Sequence, residues 1–88
     1  MEEVIFENTG FEDLFYWAKN DRKILSKIIV LIADIRKHPY KGLGNPEALK
    51  YDFAGYWSRR ITQEHRLVYK MDENANVVVF QCRFHYSK

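Results

Sequence analysis

The sequence predicts an α+β domain: an N-terminal strand, then two antiparallel helices packed on one face of a largely antiparallel sheet. Three observations predict it. Apolar residues recur at helical spacing only before Lys37, a Gly/Pro-rich stretch follows from Pro39 to Leu49, and short aromatic and β-branched runs alternate with turns after it.

Val4–Phe6 is apolar and β-prone and reads as the first strand. Thr9-Gly10-Phe11-Glu12 fits a capping box, so a helix is expected to start there and run to about Asn20, burying Phe11, Leu14, Phe15 and Ala18 along one stripe. Asp21 is placed to cap a second helix from Arg22 to about Lys37, because Pro39 disfavours helical geometry at His38. Ile24, Ile28, Leu31 and Ile35 form its seam, widened by Leu25 and Ile32. Lys23, Lys27, Asp34 and Lys37 take the opposite side, interrupted by Val30. Gly42, Gly44 and Pro46 then predict a structured loop; the lone G-x-G lacks the third glycine and parallel strand-helix unit of a dinucleotide site. Strands are expected over Leu49–Phe53, Trp57–Thr62, His65–Met71 and Val77–Tyr86, with Asp72–Asn76 as the last hairpin loop.

At 88 residues, 47% hydrophobic and 30% charged, the chain has room for one domain, 1–88, and one modest core that a partner could complete. Its longest apolar run, Ile28–Ala33, is far short of the roughly 20 residues a membrane span needs. Met1-Glu2-Glu3 is unlike a secretory leader, so a cytoplasmic location is expected. Cys82 is the single cysteine: no internal disulfide forms, structural zinc lacks its usual ligands, and the apolar surroundings read as a buried, inert thiol. The net charge of +2 is small but unevenly distributed. Acidic residues lead the chain, bases dominate from Lys19 to Lys41, and Lys50, Arg59, Arg60, Arg66, Lys70 and Arg83 then lie among aromatics. That mixture suits phosphates and exposed bases, although a solvated charged face has the same composition.

Alternation puts Gln81, Arg83 and His85 on one side of the last strand, opposite Cys82, Phe84 and Tyr86. Arg66 and Lys70 share a face of the preceding strand, and Arg59 or Arg60 could join them to make a basic surface near Tyr56, Trp57 and Tyr86. The chemistry best matched to these parts is attack of an RNA 2′-hydroxyl on its adjacent phosphate, which requires no metal, cofactor or enzyme nucleophile. It needs a base for the 2′-proton, an acid for the departing 5′-oxygen and a fixed cation for the phosphate oxygens. Glu47, Glu64 and Asp52 are candidate bases, and His38, His65 and His85 candidate acids; alternation leaves the choice open. A lone histidine is more often a structural hydrogen-bonding residue, and His85 is the strongest candidate acid.

Three segments are more specific: Gly42-Leu43-Gly44-Asn45-Pro46-Glu47-Ala48-Leu49-Lys50, Gly55-Tyr56-Trp57-Ser58-Arg59-Arg60-Ile61-Thr62-Gln63-Glu64-His65-Arg66-Leu67-Val68-Tyr69, and Cys82-Arg83-Phe84-His85-Tyr86. With Tyr16-Trp17, this pattern closely resembles the YoeB (Txe) toxins of the RelE/ParE superfamily of bacterial toxin-antitoxin systems. The resemblance implies a RelE-like fold and an endoribonuclease that enters the ribosomal A site, cuts translated mRNA and is held inactive by a YefM-type antitoxin. It implies Glu47 as general base, Arg66 as phosphate-stabilising group, His85 as general acid and Tyr86 as the aromatic that orients or stacks on the substrate. Lys50, Arg59 and Arg83 match accessory RNA-contacting positions, and Lys23, Lys27, Lys37 and Lys41 look suited to ribosome docking. The antitoxin is expected to lay a disordered acidic and apolar segment across the basic face, with Val30 as one anchor. A homodimer is also allowed. The rival readings are a ParE-like inhibitor of DNA gyrase and a passive RNA-binding module.

Overall fold

The first strand leads straight into the first helix, and this junction sets how the helical layer meets the sheet. A computed structural model describes residues 2–85. Strand β1 (Val4–Phe6) is followed by α1 (Asn8–Asn20), α2 (Arg22–Lys37), β2 (Glu47–Ala48), β3 (Trp57–Arg60), β4 (Arg66–Met71) and β5 (Val77–Gln81), with a 3-10 turn at Tyr51–Phe53. The sheet order is β1-β5-β4-β3-β2. β1 runs parallel to β5, and all other neighbours are antiparallel.

The expected capping box does not form. Glu7 is the N-cap, without a side-chain cap bond, and Thr9 already lies in the first turn. Glu7 N–H donates to Val79 O (2.9 Å), which draws the helix start back to the end of β1. Gly10 then lies so close to β5 that a Cβ there would stand 2.7 Å from Val79 O. This close approach selects the buried face. Trp17, two turns beyond Gly10, enters the core, whereas Phe11 and Phe15, expected inside, are 59% and 58% exposed. In α2 the expected boundaries and apolar seam hold, but Asp34, expected on the solvent side with the lysines, turns inward to pair with Arg59. Asp21 accepts from Lys23 and Ile24 N–H, His38 is the C-cap, and Ile28, Leu31, Ile32 and Ile35 are buried while Val30 is exposed.

The core lies between this helical layer and one sheet face, where Trp17, Ile28, Leu31 and Ile35 meet Leu67, Tyr69, Val77 and Val79. The opposite face is only partly open. The expected strand Leu49–Phe53 is instead two β residues, Glu47–Ala48, followed by the 3-10 turn, because Tyr51 takes a left-handed φ of 57° that turns the chain. That turn brings Phe53 and Tyr56 onto Phe80, with ring centroids 5.7 and 5.8 Å away. The other strands are shorter than expected. β3 stops at Arg60, β4 starts at Arg66, and β5 stops at Gln81. Its pairing with β4 shifts register between Val68 and Tyr69, and Phe84 takes a φ of 64°, so the alternation projected from Gln81 to Tyr86 fails beyond Gln81. Tyr86 lies outside the described residues.

Candidate functional site

Register fixes which charged residues share the partly open face. Glu47 pairs with Ser58, Ser58 with Val68 and Val68 with Gln81, a rung crossing four strands. Residues in register share a face, and so do residues two apart. Glu47, Arg60, Arg66 and Lys70 therefore belong to the face away from the helices, and Arg60 is the direct partner of Arg66. Neighbouring strands are about 4.8 Å apart, so β2 and β4 are separated by about 10 Å, and Arg66 stands roughly 7 Å along its strand from the Glu47 rung.

Arg59 belongs to the other face, which corrects its expected role as an RNA contact. It lies in register with Leu67 and is fully buried. Nε donates to Tyr69 Oη (3.1 Å), Nη1 to Asp34 Oδ2 (2.7 Å) and Leu43 O (2.8 Å), and Nη2 to His38 O (2.7 Å) and Lys41 O (3.0 Å). All five guanidinium donors are thus satisfied inside the protein. The Arg59 bond, then the Leu43 N–H, holds the Asp34 carboxyl below the usual carboxylate range. Tyr69 Oη donates onward to Pro39 O (2.6 Å), and burial pushes its phenol up. The loop from His38 to Pro46 is tied to α2 and the sheet immediately before it delivers Glu47. Gly44 permits a close approach: at φ 77°, a Cβ would stand 3.0 Å from Leu31 Cδ2 and 3.1 Å from Arg60 O.

The segment after β5 is held differently. Asp13 Oδ2 accepts from Cys82 N–H (3.0 Å), and Trp17 Nε1 donates to Cys82 O (2.8 Å). Burial raises the Asp13 carboxyl. Burial, followed by the Asp13 charge, pushes the Cys82 thiol up to about 12, as suits an inert side chain. Arg66 N–H donates to Phe84 O (3.0 Å), Phe84 N–H to His65 Nδ1 (2.7 Å), and Gln81 Nε2 to Arg83 O (3.2 Å) and His85 O (3.4 Å). The Arg83 guanidinium lies 3.5 Å from the Tyr16 ring centroid and 4.5 Å from that of Phe84. His85, exposed, therefore follows a residue bonded to the β4 backbone at Arg66. The Arg66 side chain donates through Nη1 to Thr62, Gln63 and His65 carbonyls, while Nε and Nη2 make no hydrogen bond among the described residues.

The remaining candidates separate. His65 accepts a hydrogen bond from Phe84 at Nδ1 and packs edge-on to Trp17 (4.8 Å), so its ring is half-buried and engaged inside the protein. Exposed His38 ends α2 and gives its carbonyl to Arg59. Exposed Glu64 and Asp52 lie in the β3–β4 turn and the 3-10 turn. Lys50 is exposed just after β2. Lys23, Lys27 and Lys37 are exposed on α2, remote in the layering from the open sheet face, and Lys41 is exposed in the clamped loop. The sequence placed Lys70 with Arg66 and left Arg59 and Arg60 as alternatives beside them, of which register selects Arg60; it missed Asp13 and Trp17 as anchors. A signal for Arg59 existed: it alternates in phase with Trp57 and Ile61, both core-facing.

A family profile described as "YoeB-like toxin of bacterial type II toxin-antitoxin system" matches residues 6–86. Toxin YoeB of Streptomyces coelicolor is 52% identical over 83 residues, which are 94% of this chain and 98% of the relative. The chain belongs to the YoeB-like toxin family. It is therefore a toxin of a type II toxin-antitoxin system. A solved YoeB/ParE toxin from Agrobacterium tumefaciens superposes with a TM-score of 0.92 at 44% identity, covering 96% of this chain and 99% of its own. A heterotetrameric YoeB-YefM complex from Staphylococcus aureus gives 0.88 at 40%, covering 98% of this chain and 99% of its own. A YoeB dimer from the same organism gives 0.89 at 40%, covering 97% and 98%. The YoeB/RelE-like fold follows.

Proposed function

We propose that this toxin is a ribosome-dependent endoribonuclease that cuts mRNA in the A site and so blocks translation. The observation that carries the reading is the shared sheet face of Glu47 and Arg66, with the His85 segment bonded along the Arg66 backbone. The Glu47 carboxylate accepts the 2′-hydroxyl proton as the 2′-oxygen bonds to phosphorus. The bond to the 5′-oxygen breaks, and imidazolium His85 protonates that oxygen. The products are a 2′,3′-cyclic phosphate and a free 5′-hydroxyl. Arg66 supplies fixed positive charge to the nonbridging oxygens, and its Nε and Nη2 are the nitrogens left for the task. Tyr86 orients or stacks on the base. Lys50 and Arg83 contribute accessory RNA contact, with Arg60 taking the place first expected of Arg59.

Lys23, Lys27, Lys37 and Lys41 dock on ribosomal RNA phosphates through the helical side, leaving the sheet face to the message. A YefM-type antitoxin holds the toxin inactive and a homodimer forms; a YoeB-YefM complex and a YoeB dimer solved for Staphylococcus aureus relatives support these two assemblies. The site of action is the cytoplasm. The test is primer extension on a message translated by purified ribosomes. Wild-type protein is expected to cleave, and Glu47→Ala, Arg66→Ala and His85→Gln each to lose roughly 100-fold or more in rate. Intact message together with inhibited DNA gyrase would replace this reading with the ParE-like one. Growth inhibition unchanged in His85→Gln would replace it with passive binding.

A further inference from the structure

We infer that His65 is a positioning residue for the His85 segment, acting as a hydrogen-bond acceptor rather than through proton transfer. The inference rests on the nuclease reading above. Phe84 N–H donates to His65 Nδ1 at 2.7 Å, so that nitrogen presents its lone pair and the ring hydrogen lies on Nε2, 3.8 Å from Glu64 Oε1. The ring is fixed by its edge-on contact with Trp17 (4.8 Å), itself anchored to Cys82 O (2.8 Å). The His65 backbone is fixed as well. Its N–H donates to Thr62 Oγ1 (3.1 Å), and its carbonyl accepts from Ile61 N–H (2.9 Å) and Thr62 N–H (3.2 Å).

Phe84 needs such a hold. Its φ of 64° is sparsely populated for any residue other than glycine, and β5 has already ended at Gln81. Its N–H is bound by His65 and its carbonyl by the Arg66 N–H, consecutive residues of one chain segment. Together they determine the direction in which the backbone delivers His85, the next residue. Deleting the acceptor releases one of these two holds without touching substrate, so the loss should appear in turnover rather than in binding.

The test compares His65→Phe, which keeps an aromatic ring against Trp17 without an acceptor, with His65→Asn, whose amide oxygen can take the place of Nδ1. Cleavage of a translated message should fall roughly 10- to 100-fold in kcat for His65→Phe, with KM within about 2-fold of wild type, and His65→Asn should recover most of the loss. Amide hydrogen exchange supplies a readout independent of activity: Phe84 N–H should be protected in wild type and His65→Asn and exposed in His65→Phe. Wild-type kcat in His65→Phe, a purely KM effect, no recovery in His65→Asn, or an unprotected Phe84 amide in wild type would each overturn the inference. Absence of cleavage by wild-type protein with Phe84 protected would instead overturn the nuclease reading on which it stands.

Discussion

The two segments that deliver the proposed base and acid are held in opposite ways. The loop before Glu47 is closed by one fully buried guanidinium with five hydrogen bonds. The segment before His85 is tied one bond at a time, by Asp13, Trp17, His65 and the Arg66 backbone. A single buried charge concentrates its effect, because removing it strands an opposite charge and several carbonyls together. A distributed set of single bonds yields in steps, each with a modest cost. The lesson is that the base-bearing side of the site hangs on one buried charge, whereas the acid-bearing side is held by several separate bonds that begin in the core at Trp17 and Cys82 and end at the exposed Phe84.

Substitution should expose this asymmetry. Arg59→Leu is expected to have the largest effect, a loss of about 3–5 kcal/mol in urea unfolding, because Asp34 remains without its partner. A loss below about 1 kcal/mol would remove the contrast. Trp17→Phe, which takes one donor from Cys82 O and some volume from the core, should cost about 2 kcal/mol in the same measurement. Acid titration separates the two carboxylates. The lowered carboxyl of Asp34 stabilises the fold above the ordinary Asp value near 3.9, and this contribution is lost as pH falls through the lower folded value. The Asp13 carboxyl is raised, so its ionisation opposes folding as pH rises from the unfolded value through the folded one. Unfolding followed from pH 7 to pH 3 should show Asp34→Asn less stable than Asp13→Asn at neutrality. Asp13→Asn, which retains an acceptor for Cys82 N–H, should remain within about 1 kcal/mol of wild type. Phe11→Ser should have the smallest effect, within about 0.5 kcal/mol, since that ring lies mainly in solvent. A larger loss would mean that the helical face assignment is wrong.

These contrasts also mark what was legible in the sequence. The α2 boundaries were local: an Asp21 side chain capping the next N–H groups and a proline after His38 act within a few residues. The buried face of α1 was not local. Phe11 and Phe15 have the right periodicity for a core, but Gly10 lets the backbone approach β5, and that approach turned the phenylalanines outward. Burial of Arg59 was half legible, through its phase with Trp57 and Ile61, but its five partners come from α2, the following loop and β4.

The sequence by itself determined the two helices, the strand-forming runs other than Leu49–Phe53, the α+β class and, through three dense segments, the toxin family, because side-chain period, local turn signals and residue identity are properties of neighbouring positions. Only the tertiary structure decided that Arg59 faces inward while Arg60 shares the open face with Arg66, that the last strand ends at Gln81, and that His65 is an acceptor for the segment leading to His85. Those outcomes depend on strand register, a bulge and hydrogen bonds between residues distant in the chain, and an alternating pattern projects correctly only while the strand that carries it continues.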